Sequence, residues 1–118
     1  MVYMLMIYAD EEDWAHQSPA EMLPVLQAHK ALEDAMRAAN RFRGGGGLAT
    51  TGSATTVRFR NGAPAVIDGP FAETKEQFGG FYLVEAPSLD EALAYARRIP
   101  GPVNRAIEVR AVLHHSPL

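Results

Sequence analysis

An α+β fold is predicted by three observations. The chain opens on a continuous apolar run, two segments carry helical apolar spacing behind N-cap signals, and several stretches alternate strictly between apolar and polar residues. The run Val2 to Ala9 (VYMLMIYA) is short and rich in Tyr, Met and Ile, so it predicts a central strand buried on both faces. Ser18-Pro19-Ala20-Glu21 supplies an N-cap serine, a proline at the first helical position and a glutamate at the third, which together satisfy orphan backbone N–H groups. The helix that starts there has Met22, Val25, Leu26, Leu32, Met36 and Ala39 at three- and four-residue spacing, and its pattern fades at Asn40.

Gly44 to Gly47 then read as a flexible helix-to-strand connection. Leu48 to Thr51 and Ser53 to Arg60 carry strand-forming Thr and Val, with Thr55, Val57 and Phe59 on one face and Thr56, Arg58 and Arg60 on the other. Asn61-Gly62 is a two-residue hairpin signal because both residues tolerate positive φ, so Ala65 to Ile67 should return antiparallel. Gly79 to Ala86 (GGFYLVEA) predicts another strand. Ser88-Leu89-Asp90-Glu91 opens a second helix with the stripe Leu89, Ala92, Leu93, Ala96 and Ile99, which Pro100 stops. Ala106 to Leu113 (AIEVRAVL) alternates as a last strand, and residues 114–118 are expected to lack regular structure.

Strand, helix, two hairpin strands, strand, helix, strand is the order of a split βαβ, ferredoxin-like sheet with an extra hairpin strand. Both helices should cover one sheet face. The strands offer apolar residues to the other face as well, so a second copy of the chain is the simplest cover and a homodimer is expected.

The 118 residues make one domain, 1–118, and a hydrophobic content of 47% against 21% charged residues rules out wholesale disorder. A net charge of −3 argues against a nucleic-acid partner, whose phosphates call for a basic surface. The absence of cysteine removes disulfides, thiolate nucleophiles and cysteine metal sites. No apolar run approaches the roughly 18 residues of a membrane span. The first strand runs into Asp10, Glu11, Glu12 and Asp13 rather than a cleavage site, so a cytoplasmic location with no membrane partner is expected.

Candidate chemistry is sparse. His29 falls on the apolar stripe of the first helix, where an imidazole needs a hydrogen-bond partner. It reads either as a satisfied, half-buried histidine or as a general acid or base. Asp68-Gly69-Pro70-Phe71 ends the hairpin strand with a carboxylate, a permissive glycine, a rigid proline and an aromatic, which reads as an Asx-turn or as part of a site. The glycine run lacks the Lys-Ser/Thr of a phosphate loop and follows a helix instead of preceding one. Lys75 lies between Glu73 and Glu76, which favour its charged, solvated form. His16, His114 and His115 show no metal-site spacing, so neither a metal nor a cofactor is indicated. Trp14 and Phe71 are candidate walls of a pocket.

The stretch VIDGPFAETKEQFGGFY, residues 66–82, resembles the DGPF branch of the YCII-related family, named for that tetrapeptide. Tyr3 to Tyr8, Ala54 to Arg58, Leu89 to Ala92 and Ile107 to Arg110 extend the resemblance over nearly the whole chain. It implies a ferredoxin-like, dimeric α/β-barrel fold. It also implies kinship with muconolactone-isomerase-like proteins and a His and Asp pair in a cleft, which map onto His29 and Asp68. On that reading the protein is a cofactor-independent lyase or isomerase of a small organic acid or lactone. His29 abstracts a proton next to a carbonyl, Asp68 orients the ring or is itself the base, and Arg58, with Gly69, Pro70 and Phe71, meets the substrate. The alternative that the resemblance implies is a non-catalytic small-molecule sensor or interaction module linked to an extracytoplasmic-function sigma factor.

Overall fold

The computed structural model describes residues 1–116, so Pro117 and Leu118, the end of the segment expected to be irregular, lie outside the described residues. Residues 112–116 carry neither helix nor strand. The elements are β1 (Val2–Ala9), α1 (Pro19–Ala38), β2 (Phe42–Gly47), β3 (Thr55–Arg60), β4 (Ala63–Asp68), β5 (Gln77–Glu85), α2 (Leu89–Ala96) and β6 (Ala106–Ala111), with short 3₁₀ turns at Glu11–Asp13 and Thr51–Ser53. A four-stranded antiparallel sheet runs β2-β5-β1-β6, the arrangement of a split βαβ sheet. The α+β, ferredoxin-like expectation therefore holds.

Capping chemistry starts α1 where the sequence places it: Ser18 Oγ accepts from the Glu21 N–H at 3.2 Å, and the Glu21 carboxylate accepts from the Ser18 N–H at 3.2 Å. The stripe of α1 is used unevenly. Leu32 and Met36 are buried with Leu5, Val84 and Ile99 in the core between helices and sheet. Met22, Val25 and Leu26, nearer the N-terminus, stay outside that core.

Three expectations are corrected. Gly44 to Gly47 are not a flexible connection: they form most of the edge strand β2, with Gly45 opposite Tyr82 and Gly47 opposite Gly80. The strand ends at Gly47, and the strand expected over Leu48 to Thr51 is absent. The register shifts between Phe42 and Gly44, where Gly44 takes φ +145, a conformation open to glycine alone without strain. The hairpin does turn at Asn61 (φ 52) and Gly62 (φ 80) as predicted. It does not extend the main sheet, however, because β3 and β4 pair only with each other.

That hairpin leaves the body of the domain. The Cα radius of gyration is 15.9 Å, against about 13.5 Å from the size scaling of compact domains. Val57, Phe59 and Val66 on its strands are 56%, 68% and 72% exposed. A two-stranded ribbon with its apolar side chains in water is marginal by itself.

Candidate functional site

The glycines of β2 create the site by omission. At Gly45 and Gly47, on the helix side of the sheet edge, there are no side chains to meet Met22, Val25 and Leu26 of α1, so helix and sheet bound a half-open cavity of about 510 Å³ there. At Gly45 a Cβ would sit 2.9 Å from the Phe81 carbonyl oxygen and 3.1 Å from the Tyr82 ring, so backbone and ring already occupy that side. Gly80 of β5 continues the bare floor: a Cβ there would meet the Gly46 oxygen at 3.1 Å and Ile7 at 3.6 Å. Trp14 and Gln17 close one end, and Pro100, Gly101 and Pro102, after α2, close another. The volume is within the usual range for small-molecule sites.

His29 faces this cavity from α1, half-buried, and its Nδ1 lies 2.6 Å from the Tyr82 hydroxyl. Tyr82 rises from the centre of β5, opposite Leu5 on one side and Gly45 on the other, and Phe42 packs edge-on against its ring at 6.5 Å. Burial, reinforced by the Arg105 guanidinium, lowers the His29 pKa below its ordinary 6.5, so the neutral ring is favoured. Burial and the nearby Glu33 carboxylate raise the Tyr82 phenol to about 12, so it remains protonated.

Two neutral groups at this distance share one hydrogen, and its placement decides the chemistry. When Nδ1–H donates to the Tyr82 oxygen, Nε2 keeps a lone pair and is a base; when the Tyr82 hydroxyl donates to Nδ1, Nε2–H is an acid. No protein partner of Nε2 is found among the described residues.

The other residues singled out in the sequence sit elsewhere. Asp68 is the exposed last residue of β4, paired in register with Thr55, and lines no part of the cavity. Gly69 takes φ +103, donates its N–H to the Ala54 carbonyl at 2.8 Å and accepts from the Thr56 hydroxyl at 2.8 Å, which closes the base of the hairpin. The Arg58 guanidinium lies 5.3 Å from the centre of the Phe71 ring, and Phe71 is 75% exposed. Arg58, Gly69, Pro70 and Phe71 thus cluster at the hairpin, apart from the residues that line the cavity. Trp14 does wall it, as expected. Among the described residues no cluster of His, Asp and Glu is arranged to hold a metal ion.

Tyr82 is the residue that sequence reasoning missed. Alternation along GGFYLVEA puts Tyr82 on the face of Gly80 and Val84, which is the face His29 also addresses.

The YCII-related domain matches residues 1–116. An uncharacterised protein of Rhizobium meliloti (strain 1021) is 37% identical, over 99% of this chain and 96% of its own length. A match spanning both helices, all six strands and the cavity they enclose makes the chain a member of the YCII-related family.

Proposed function

We propose that the protein is a cofactor-independent isomerase or lyase that moves a proton next to the carbonyl of a small molecule held under α1. The observation that carries this reading is a neutral imidazole, fixed by Tyr82 at 2.6 Å, facing an apolar cavity. Nε2 of His29 takes the proton: the C–H bond breaks, the N–H bond forms, and the electron pair passes to the carbonyl oxygen. Return of the proton at a second carbon gives the isomer, whereas loss of a β leaving group gives the unsaturated product. Tyr82 holds the tautomer and orientation of the ring. The tetrapeptide Asp68 to Phe71 supports assignment to the DGPF branch. Asp68 stays in the proposal as a second acidic group, one that acts only if the hairpin carries it to a cavity.

The test is deuterium exchange. Lactones and cyclic ketones incubated with the protein in heavy water should lose the proton α to the carbonyl faster than buffer exchanges it, as read by NMR. A panel with no acceleration for any member removes the acid–base reading.

We also propose that two copies assemble. The sheet face away from the helices carries Tyr8, Phe78 and Phe81 in aromatic contact, with centroids 5.5 and 6.4 Å apart, beside Met4 and Leu83. That half-buried patch and the exposed apolar residues of the projecting hairpin are surface that a second copy would cover. Sedimentation should give twice the 12.9 kDa chain mass, and Phe59→Glu with Val66→Glu should weaken the pair. A wild type that sediments as single chains instead favours the second reading, an interaction module whose hairpin meets another protein, for which the resemblance suggests a sigma factor.

A further inference from the structure

We infer that the cavity under α1 takes uncharged ligands and rejects carboxylates, so that its substrate is a neutral lactone or ketone and not an organic acid. The inference rests on the reading of this cavity as the reaction site and narrows its substrate class.

The charges around the cavity carry the argument. Among the described residues no Lys or Arg lines it, and the ionisable lining groups are His29, Glu33 and Tyr82. His29 offers no positive charge at neutral pH because burial favours its neutral ring, and burial keeps the Tyr82 phenol protonated and uncharged. Glu33 is the one formal charge, and it is matched outside the lining: Arg37 Nε donates to its carboxylate at 3.1 Å, while the same guanidinium lies 4.3 Å from the centre of the Phe42 ring. The lining therefore presents a paired carboxylate and no cationic side chain.

Arg105 is the cation whose field reaches His29, and the wall occupies it. Its Nε donates to the Ile99 carbonyl at 2.8 Å, and its Nη1 donates to the carbonyls of Pro102 at 3.0 Å and Gly101 at 3.3 Å. Those bonds shape the Pro100–Pro102 segment that bounds the cavity, so Arg105 works as a brace for the wall. Arg58, which would suit a carboxylate, lies over Phe71 on the hairpin.

What remains for a ligand is apolar contact with Ile7, Met22, Val25 and Leu26 and neutral hydrogen-bonding groups on Trp14, Gln17 and His29. A carbonyl oxygen can accept from such donors. A carboxylate brought here gives up hydration with no cationic donor in the lining to replace it, since the Nε and Nη1 donors of Arg105 are held by backbone carbonyls.

Trp14 is the single tryptophan of the chain and lines the cavity, so its fluorescence reports occupancy. The experiment titrates wild-type protein with γ-phenyl-γ-butyrolactone and, separately, with its ring-opened form, 4-hydroxy-4-phenylbutyrate, well above the carboxylate pKa. Matched cyclohexanone and cyclohexanecarboxylate form a second pair. The neutral member of each pair should bind about 100-fold or more tighter than the anion, the scale expected for an uncompensated buried charge. An anion that binds as tightly as its neutral partner overturns the inference and leaves the acid–base reading standing. If no member of either pair perturbs Trp14, the cavity is not the ligand site, and the inference falls together with that reading.

Discussion

Replacing His29 with Gln lowers proton-transfer turnover by about 10²- to 10⁴-fold, the usual contribution of a positioned general base. Gln fits the space and retains a hydrogen-bonding group for the Tyr82 hydroxyl, which now lies 2.6 Å from Nδ1, but it has no lone pair of comparable basicity. The pH profile identifies the cause. Burial and Arg105 lower the pKa of the folded ring below 6.5, so wild-type activity should persist into mildly acidic solution and decline only as pH falls through that lowered value. The Gln variant should lose that acidic limb. Stability follows the same sign: a histidine with a depressed folded pKa stabilises fully above its unfolded value near 6.5 and loses the contribution as pH falls through the folded one. Acid unfolding of the variant should therefore be less steep in that window. A variant with full turnover and reduced stability would assign the ring to structure alone.

The parts of this molecule that were legible in the sequence are those set by local chemistry. The capping box at Ser18 and Glu21 and the positive-φ pair Asn61 and Gly62 specify their conformations within a few residues, and the structure contains both. The apolar run of β1 announced a central strand, and its neighbours are β5 on one side and β6 on the other. Gly44 to Gly47 were misread because glycine disfavours strands when judged alone. What makes them a strand is pairing with β5, more than thirty residues away, with Gly45 against Tyr82 and Gly47 against Gly80. Propensity yields there to tertiary contact.

The cavity was illegible for a related reason. Sequence patterns reveal side chains that converge, whereas this space lies beside Gly45 and Gly47, which present no side chain to the helix. Met22, Val25 and Leu26 have the spacing of core residues, and with side chains opposite them they would belong to the core. His29 was legible as a polar ring on an apolar stripe. Its partner was not, since Tyr82 is an ordinary strand residue by type and only the register of Leu5, Tyr82 and Gly45 brings its hydroxyl under the helix.

That register gives the second large effect. Leu5→Ala should lower the free energy of unfolding by about 2–5 kcal/mol, the range for truncating a buried leucine. Leu5 is fully buried at the middle of β1, opposite Tyr82 on β5 and Val109 on β6, and it shares the core with Leu32 and Met36 of α1. The site has little freedom to collapse onto the void, because the flanking strands fix the backbone on both sides and the helix above is held at its C-terminal half by those same residues. A single domain has only about 5–15 kcal/mol to lose, so the variant should show a large drop in denaturant midpoint at unchanged slope. Because Leu5 abuts Tyr82, the void should also loosen the phenol that steers His29, and ligand binding at Trp14 should weaken under conditions where the variant is still folded. A loss below about 1 kcal/mol would mean that Leu5 is not enclosed as described, since even the mild Ile→Val truncation of a core typically costs that much.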